Sequence, residues 1–360
     1  MRLLRIKAGN FRNLRHLDVQ PSAGLNVLRG RNAQGKTNFI EAVFFALRGY
    51  SFRSQREREL VTWDQKTSFV EALLEDRNGR TTVRTEFDST GKRAVWAGEP
   101  VGKAERAGRL GTVLFTPADL DLVKCGPRER RRFLDFELGV FVPGYFSTLR
   151  LYRRAVEQRN HLLRMGGGSK SFDTLELWTD QVCEYGTVLL SGRLEILREF
   201  APAACRLFGA WAGEELSIRY RSSVELSNGA RKPGSDDLRQ TLAAVRREEV
   251  RAGQTKAGPH LDDLTFLVNG RESRVFASQG QQRSVVLALK LAQVFLWRRH
   301  TGEAPVVLLD DVLSEFDRER RDKVLETLQD DIQAFITAGE AVLGAGRVFC
   351  VHSGNIQEES

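Results

Sequence analysis

The stretch Gly30-Arg31-Asn32-Ala33-Gln34-Gly35-Lys36-Thr37 constrains this chain more than any other. Two glycines at that spacing followed by Lys-Thr fit the loop that wraps a phosphate, provided a strand leads in and a helix leads out. Both patterns are present. Leu25-Asn26-Val27-Leu28 reads as a buried strand. Phe39, Ile40, Val43, Phe44 and Leu47 recur at helical spacing before Gly49 offers a stop. Gly30 and Gly35 let the backbone approach a phosphate with no Cβ in the way. The loop N–H groups and the helix N-terminus supply partial positive charge. Lys36 is expected to reach the β- and γ-phosphates and to act catalytically, and the Thr37 hydroxyl to coordinate Mg²⁺. A nucleoside triphosphate with Mg²⁺ is therefore the expected ligand.

Two later stretches read as the other half of such a site. Pro305-Val306-Val307-Leu308-Leu309-Asp310-Asp311 is an apolar parallel strand that delivers two carboxylates to its C-terminal edge, where ligands bind in open α/β sheets. Asp310 is expected to hold the metal through water and Asp311 to polarise an attacking water. Ser278-Gln279-Gly280-Gln281-Gln282-Arg283-Ser284 precedes an almost wholly apolar helix from Val285 to Trp297, so Ser278 is placed to cap a helix whose open N–H groups suit an anion. Thr337 ends a strand Ala334–Thr337, a position from which to sense a γ-phosphate.

Elsewhere the chain reads as β at 1–28, as a β-meander at 50–115 with a hairpin at Asn78-Gly79, and as largely helical from Asp119 to about Phe208. Helices from about Tyr145 to Arg164 and Phe172 to Phe200 form a hairpin across Gly166-Gly167-Gly168. A charged helix spans Asp236 to Val250, and Leu264 to Phe276 reads as a hairpin turning at Asn269-Gly270. With 41% hydrophobic residues a sizeable core can be buried, and 360 residues allow two domains or one with a large insertion. Lys+Arg exceed Asp+Glu by 55 to 47, which favours a polyanionic partner. Arginines crowd 128–132 and 150–159, making Arg131, Arg132, Arg153 and Arg154 the candidates for sequence-independent phosphate contact with DNA. The four cysteines are scattered and the five histidines lack metal spacing, so zinc and a disulfide framework are not expected. His260 reads as a satisfied hydrogen-bonding residue. No signal peptide or membrane-length apolar run is seen, which predicts a cytoplasmic protein without a membrane partner.

The phosphate loop, the serine-glycine-glutamine signature, the Asp310 strand and the segment from Ser314 to Asp317, in that order, resemble an ABC-type ATPase head. A finer set resembles the RecF family of bacterial recombination mediators. It comprises Asn10-Phe11-Arg12-Asn13, Asn38-Phe39-Ile40-Glu41-Ala42, Ser51-Phe52-Arg53, Gly126-Pro127, Arg130 to Asp135, Gly258-Pro259-His260-Leu261-Asp262-Asp263 and Ser278 to Arg283. The resemblance implies an α/β P-loop ATPase head with a helical second lobe and no long coiled coil. On this reading residues 1–115 and 301–360 make the first lobe and 116–300 the second. It also implies weak, DNA-stimulated ATPase activity and an ATP-dependent homodimer in which Ser278, Gln279, Gly280 and Gln281 serve the partner's nucleotide, with Ser314 and Asp317 as the loop beyond the acidic strand. Its implied setting is recombinational repair at single-strand gaps and stalled forks on double-stranded DNA and gap junctions, with RecO, RecR and RecA as partners. Asp311 stands where transporter heads carry Glu, and Thr337 where they carry His. A transporter's nucleotide-binding subunit, a structural SMC-like protein and a P-loop kinase are the alternatives. The first fits poorly because 242 residues separate Lys36 from Ser278, the second because the helical hairpin is short, the third because it leaves the Ser278 signature unexplained.

Overall fold

In the computed structural model the helix that follows the phosphate loop, Lys36–Arg48, is buried on every side from Phe39 onward, because it lies between two sheets. The structure describes all residues except 55, 89–90, 166–168, 226–232, 313–315, 329–330, 339–345 and 360, and only the backbone of 103–104, 107 and 169–172. The first strands are β1 (Arg2–Phe11), β2 (Leu14–Val19), β3 (Leu25–Arg29) and β4 (Ser68–Asp76). They are followed by β5 (Gly79–Phe87), β6 (Lys92–Trp96), β7 (Glu99–Pro100) and β8 (Thr112–Phe115). Then come β9 (Leu216–Arg221), β10 (Asp263–Val268), β11 (Arg271–Glu272) and β12 (Val306–Leu309). The last are β13 (Ala334–Ala338), β14 (Arg347–His352) and β15 (Asn355–Glu358).

The chain divides into two units. The first comprises Met1–Asp119, Ala210–Ala212 and Leu287–Ser360, and the second Leu120–Gly209 and Gly213–Val286. The return to the first unit thus falls at Leu287 rather than at residue 301, inside the apolar helix, which runs unbroken over Gln279–Thr301.

Within the first unit one sheet has the order β2-β1-β4-β5-β6-β7 and is antiparallel throughout, the meander expected from the hairpin signals. The other has the order β15-β14-β3-β13-β12-β8, parallel except for β15. Apolar side chains of both sheets close on the helix between them. Phe45 meets Phe87 of the first sheet at 5.5 Å between ring centres, and Phe39 meets Phe335 of the second at 5.7 Å. Such a helix needs apolar residues all round, and Phe-Ile-Glu-Ala-Val-Phe-Phe-Ala-Leu supplies them with one exception, Glu41. In the same unit Lys290, which interrupts the apolar run, is paired with Asp119 at 2.7 Å.

In the second unit the helical hairpin is Tyr145–Met165 and Ser169–Ala212, the latter with Pro202 inside it. Its sheet is three-stranded, β11-β10-β9, and antiparallel. Two expectations fail here. The charged helix breaks into Ser235–Ala244 and Arg246–Ala252 at Val245, whose ψ of 5° ends the first and starts the second. The second half of the 264–276 hairpin pairs only over Arg271–Glu272, then turns into a short helix Ser273–Phe276. There the Ser273 hydroxyl donates to the Phe266 carbonyl and the Gln282 amide to the Ser273 carbonyl, side-chain bonds that favour the turn over further pairing.

The hydrophobic pattern of Tyr145–Met165 also buries a charge. Arg159 is fully buried, forks onto both oxygens of an equally buried Glu249 at 2.8 and 2.6 Å, and donates to Thr179 and Thr255. Removing one partner strands the other's charge in a dry interior. Arg159→Met is therefore expected to destabilise the protein by about 3–5 kcal/mol, and Arg159→Met with Glu249→Met to recover at least half of that loss. Chemical denaturation of the three variants measures both; a double variant as unstable as the single would show the pair to be net stabilising.

Candidate nucleotide site

The loop after β3 is built from backbone of alternating hand. Gly30, Ala33 and Gly35 have φ of 156°, 64° and 118°, positive values of the kind from which anion-binding nests are built. Gly30 also has no room for a side chain, since a Cβ there would stand 2.4 Å from the Val351 carbonyl oxygen. Arg31, Asn32 and Ala33 form the exposed rim of the loop. Lys36 curls over it, Nζ donating to the carbonyl oxygens of Gly30 at 2.5 Å and Arg31 at 3.0 Å. Among the described residues no carboxylate pairs with it, so these carbonyl bonds are the ones that phosphate oxygens would replace.

The loop is clamped from two sides by groups that sequence reasoning passed over. Asn13 Nδ2 donates to the Gln34 carbonyl at 3.1 Å, and Asn38 donates to Asn13 Oδ1 at 2.7 Å. From the β14–β15 turn, Gly354 N–H donates to the Gln34 carbonyl and Ser353 N–H to the Gln34 side chain, at 2.9 and 2.7 Å. Asn13 was legible only as a member of a motif, and nothing near Ser353 signalled its use. The three stretches around Arg12, Glu41 and Arg53 converge. Glu41 is fully buried, takes Arg12 at 2.8 and 3.0 Å, and also accepts from Ser51 and Arg53. This fixes the first turns of the phosphate-loop helix.

The sheet order explains the acidic half. β13 lies between β3 and β12, with Thr337 level with Leu28 and Ile336 with Leu309. Asp310, one residue past β12, is thereby brought beside Thr337 and within reach of Thr37. Both hydroxyls donate to Asp310 Oδ1 at 3.0 Å. Burial pushes the Asp310 carboxyl above its usual range and Asp311 adds to that, while the two threonine hydrogen bonds pull it back. A second carboxylate next to a desolvated one, with a hydroxyl alongside, is a donor set that suits a hard divalent cation whose remaining ligands come from phosphates and water. Thr37 and Asp310 would hold it. Asp311 is exposed and takes a φ of 51°, a left-handed conformation that Asp tolerates better than most side chains.

Thr337, expected as a γ-phosphate sensor, is engaged with both acids. It is buried, its only hydroxyl proton goes to Asp310, and its oxygen accepts the Asp311 N–H at 2.7 Å. In this arrangement it has no proton to offer a phosphate and instead braces both acids. Ser314 lies outside the described residues. Asp317 caps the helix Arg318–Thr327 by accepting from Arg320 N–H at 2.8 Å.

In the second unit, Ser278 and Gln281 form a reciprocal capping box. Gln281 N–H donates to Ser278 Oγ at 3.2 Å, and Ser278 N–H donates to Gln281 Oε1 at 2.8 Å. Ser278 and Gln279 are exposed, and the first N–H groups of the helix, those of Gln279 and Gly280 among them, have no intrahelical acceptor.

The arginine runs of this unit are not uninterrupted phosphate-facing stripes. Arg130 is buried and paired with Asp263 at 2.7 Å, and Arg159 with Glu249. Arg131 donates to the Asp262 carbonyl at 2.8 Å, and Arg153 is paired with Asp135 at 3.0 Å. Arg132 lies 3.8 Å from Glu129 and, like Arg128, Arg150 and Arg154, is exposed. Asp135 and Asp262 are themselves gripped by the buried Arg193 and by Tyr145 and Tyr220. Arg130, Asp135, Arg193, Asp262 and Asp263 thus join the two stretches in one largely buried polar cluster. His260 belongs to it: Nε2 donates to the Thr255 carbonyl, so Nδ1 accepts from Tyr152 at 2.6 Å, and burial lowers its pKa.

Comparison with known proteins agrees with this architecture. Residues 2–345 match the family model described as RecF/RecN/SMC N terminal domain. The DNA replication and repair protein RecF of Desulforudis audaxviator is 78% identical over 360 residues, the whole of both chains. That of Desulforamulus reducens is 36% identical, covering all of this chain and 99% of its own. Among solved structures, the recombination mediator protein RecF with ATP in the RecFOR pathway superposes with a TM-score of 0.88 at 31% identity, over 99% of this chain and 97% of the other. An Smc head bound to the C-winged helix domain of ScpA reaches 0.60 at 15% identity over 100% and 97%, a likeness of fold alone.

The brace at Thr337 makes a specific expectation. Thr337→Val removes one charge-assisted bond to Asp310 and leaves the Asp311 N–H unpaired, and MgATP turnover should fall roughly ten- to a hundredfold. Thr337→Ser keeps the hydroxyl and should retain most of the rate. Steady-state ATPase assays decide it; equal rates for the valine and serine variants would show that the brace plays no part.

Proposed function

Because the chain belongs to the RecF family of DNA replication and repair proteins, recombination mediators of the RecFOR pathway, we propose that it works as an ATP-gated DNA clamp. The observation that carries the reading is the meeting of Thr37, Asp310 and Thr337 at the carboxyl edge of the parallel sheet, beside the Gly30–Thr37 loop. That loop would bind ATP. Lys36 would exchange its carbonyl partners for the β- and γ-phosphates. A magnesium ion on Thr37 and Asp310 would neutralise charge on the same phosphates. Asp311 would orient the attacking water. Asp is a methylene shorter than the Glu of transporter heads, which supports slow turnover.

Lys36 and Thr37 already fill the phosphate cradle of their own chain. The Ser278 terminus, with its exposed serine and N–H groups that lack an intrahelical acceptor, would therefore meet the γ-phosphate held by a second copy. Two ATP molecules would be sandwiched in a two-fold dimer that opens on hydrolysis. DNA would be held without sequence preference, as double-stranded DNA or at gap junctions. Its exposed contacts in the second unit would be Arg132, Arg150 and Arg154, with Arg153 shared between DNA and Asp135. The setting would be repair of single-strand gaps and stalled forks in the cytoplasm, with RecO and RecR, ahead of RecA loading. Among the described residues no helix is long and apolar enough to cross a membrane. The hairpin helices of 21 and 44 residues fall short of a structural SMC arm.

Complementation tests the shared site. Lys36→Ala and Ser278→Arg should each be inactive alone. Mixed, they form one whole site and one doubly broken one, and ATPase activity and ATP-dependent dimerisation should partly return. Two folded variants that recover nothing at any ratio would show that the signature does not act across a dimer. DNA contact is read from salt dependence. If about five phosphates are neutralised, log K falls against log salt with a slope near −4 to −5. Arg132→Ala, Arg150→Ala and Arg154→Ala together should flatten it by about 3; an unchanged slope would leave these arginines as plain surface.

A further inference from the structure

The capping box at Ser278 contains a choice that helix chemistry alone does not explain. Glu and Gln both close such a box, and Glu adds a favourable interaction with the helix dipole. This chain has Gln281. The reason lies on the far side of the amide. Gln281 Nε2 donates to Glu214 Oε1 at 2.6 Å, and the same oxygen accepts from Asn269 Nδ2 at 3.0 Å. Asn269 is in turn tied to Glu215 through two bonds, Glu215 N–H to Asn269 Oδ1 at 3.0 Å and Asn269 N–H to the Glu215 carbonyl at 2.9 Å. Glu214 is half-buried, so its carboxylate sits in one place. An amide whose NH₂ is captured there can turn only its oxygen toward Ser278. A carboxylate at position 281 would set two negative oxygens against each other.

We propose that Glu214 is a positioning residue for the signature: through the Gln281 amide it fixes the Ser278 cap so that the hydroxyl proton and the Gln279 and Gly280 N–H groups converge on a nucleotide phosphate. This rests on the reading that Ser278 serves the nucleotide of a second copy. It adds that Glu214, 64 residues before Ser278 in the chain, sets the cap's orientation. It also adds that position 281 must be a neutral donor wherever position 214 is a carboxylate.

The test is a charge swap in the full chain, read by sedimentation with MgATP and by thermal unfolding. Gln281→Glu should weaken ATP-dependent dimerisation at least tenfold while the chain still unfolds cooperatively, because a carboxylate at that helix position can cap but repels Glu214. Glu214→Gln should weaken it less, since a glutamine there still accepts from Gln281. The double variant Glu214→Gln with Gln281→Glu restores a donor facing an acceptor and should dimerise like Glu214→Gln alone. Wild-type dimerisation by Gln281→Glu overturns the proposal, and so does a double variant no better than Gln281→Glu, which would place the fault in the carboxylate itself. Ser278→Arg separates this from the underlying reading. If it dimerises with ATP as wild type does, the signature does not cross the dimer and both fall. If it fails to dimerise while Gln281→Glu succeeds, only the role of Glu214 falls.

Discussion

Two threonine hydroxyls on a single oxygen of Asp310 hold the candidate nucleotide site together. Asp310 is 5% exposed, and a carboxylate in that position needs donors. One comes from Thr37, at the start of the phosphate-loop helix, and one from Thr337, at the end of the strand between. The same Thr337 oxygen accepts from the backbone of Asp311 and sets where that second carboxylate begins. The acids, the loop and the brace are therefore hydrogen-bonded as one group, and the parallel register of β3, β13 and β12 places them level. Their positions are secured from behind by the helix sandwiched between two sheets, whose single buried acid, Glu41, is matched by Arg12 and Arg53.

The second unit solves a different problem, how to keep a basic, helical stretch folded. Several of its arginines are spent inside. Arg193 takes Asp135, Arg130 takes Asp263, and Arg159 takes Glu249, with tyrosines and threonines completing the donors and acceptors. A buried charge without a partner costs several kcal/mol, so these pairs fix how the helices and the three-stranded sheet meet. The motifs around Arg130 and His260 act first through this core. In the runs 128–132 and 150–159, Arg128, Arg132, Arg150 and Arg154 are exposed and open to a polyanion. The number of arginines in these runs overstated the basic surface, because several of them are buried against acids.

The sequence by itself determined the parts whose chemistry is local. A strand, a glycine loop and a helix follow one another within 24 residues, Leu25 to Arg48, so spacing alone placed these elements. Alternation and Asn-Gly turns located the antiparallel meander, and an apolar run ending in two aspartates marked the acidic strand. Ser278 was legible as a cap because its partner, Gln281, is three residues on. Only the tertiary structure decided what depends on partners far along the chain. It inserted β13 between β3 and β12 and so brought the Thr337 hydroxyl onto both acids. It gave the Gln34 carbonyl to Asn13 and Gly354, broke the 236–250 helix at Val245, and bent 273–276 out of its hairpin. It also sorted buried arginines from exposed ones. Periodicity reports which face of an element is apolar. It carries no information about which residue, hundreds of positions away, will supply the hydrogen bond that a buried polar group requires.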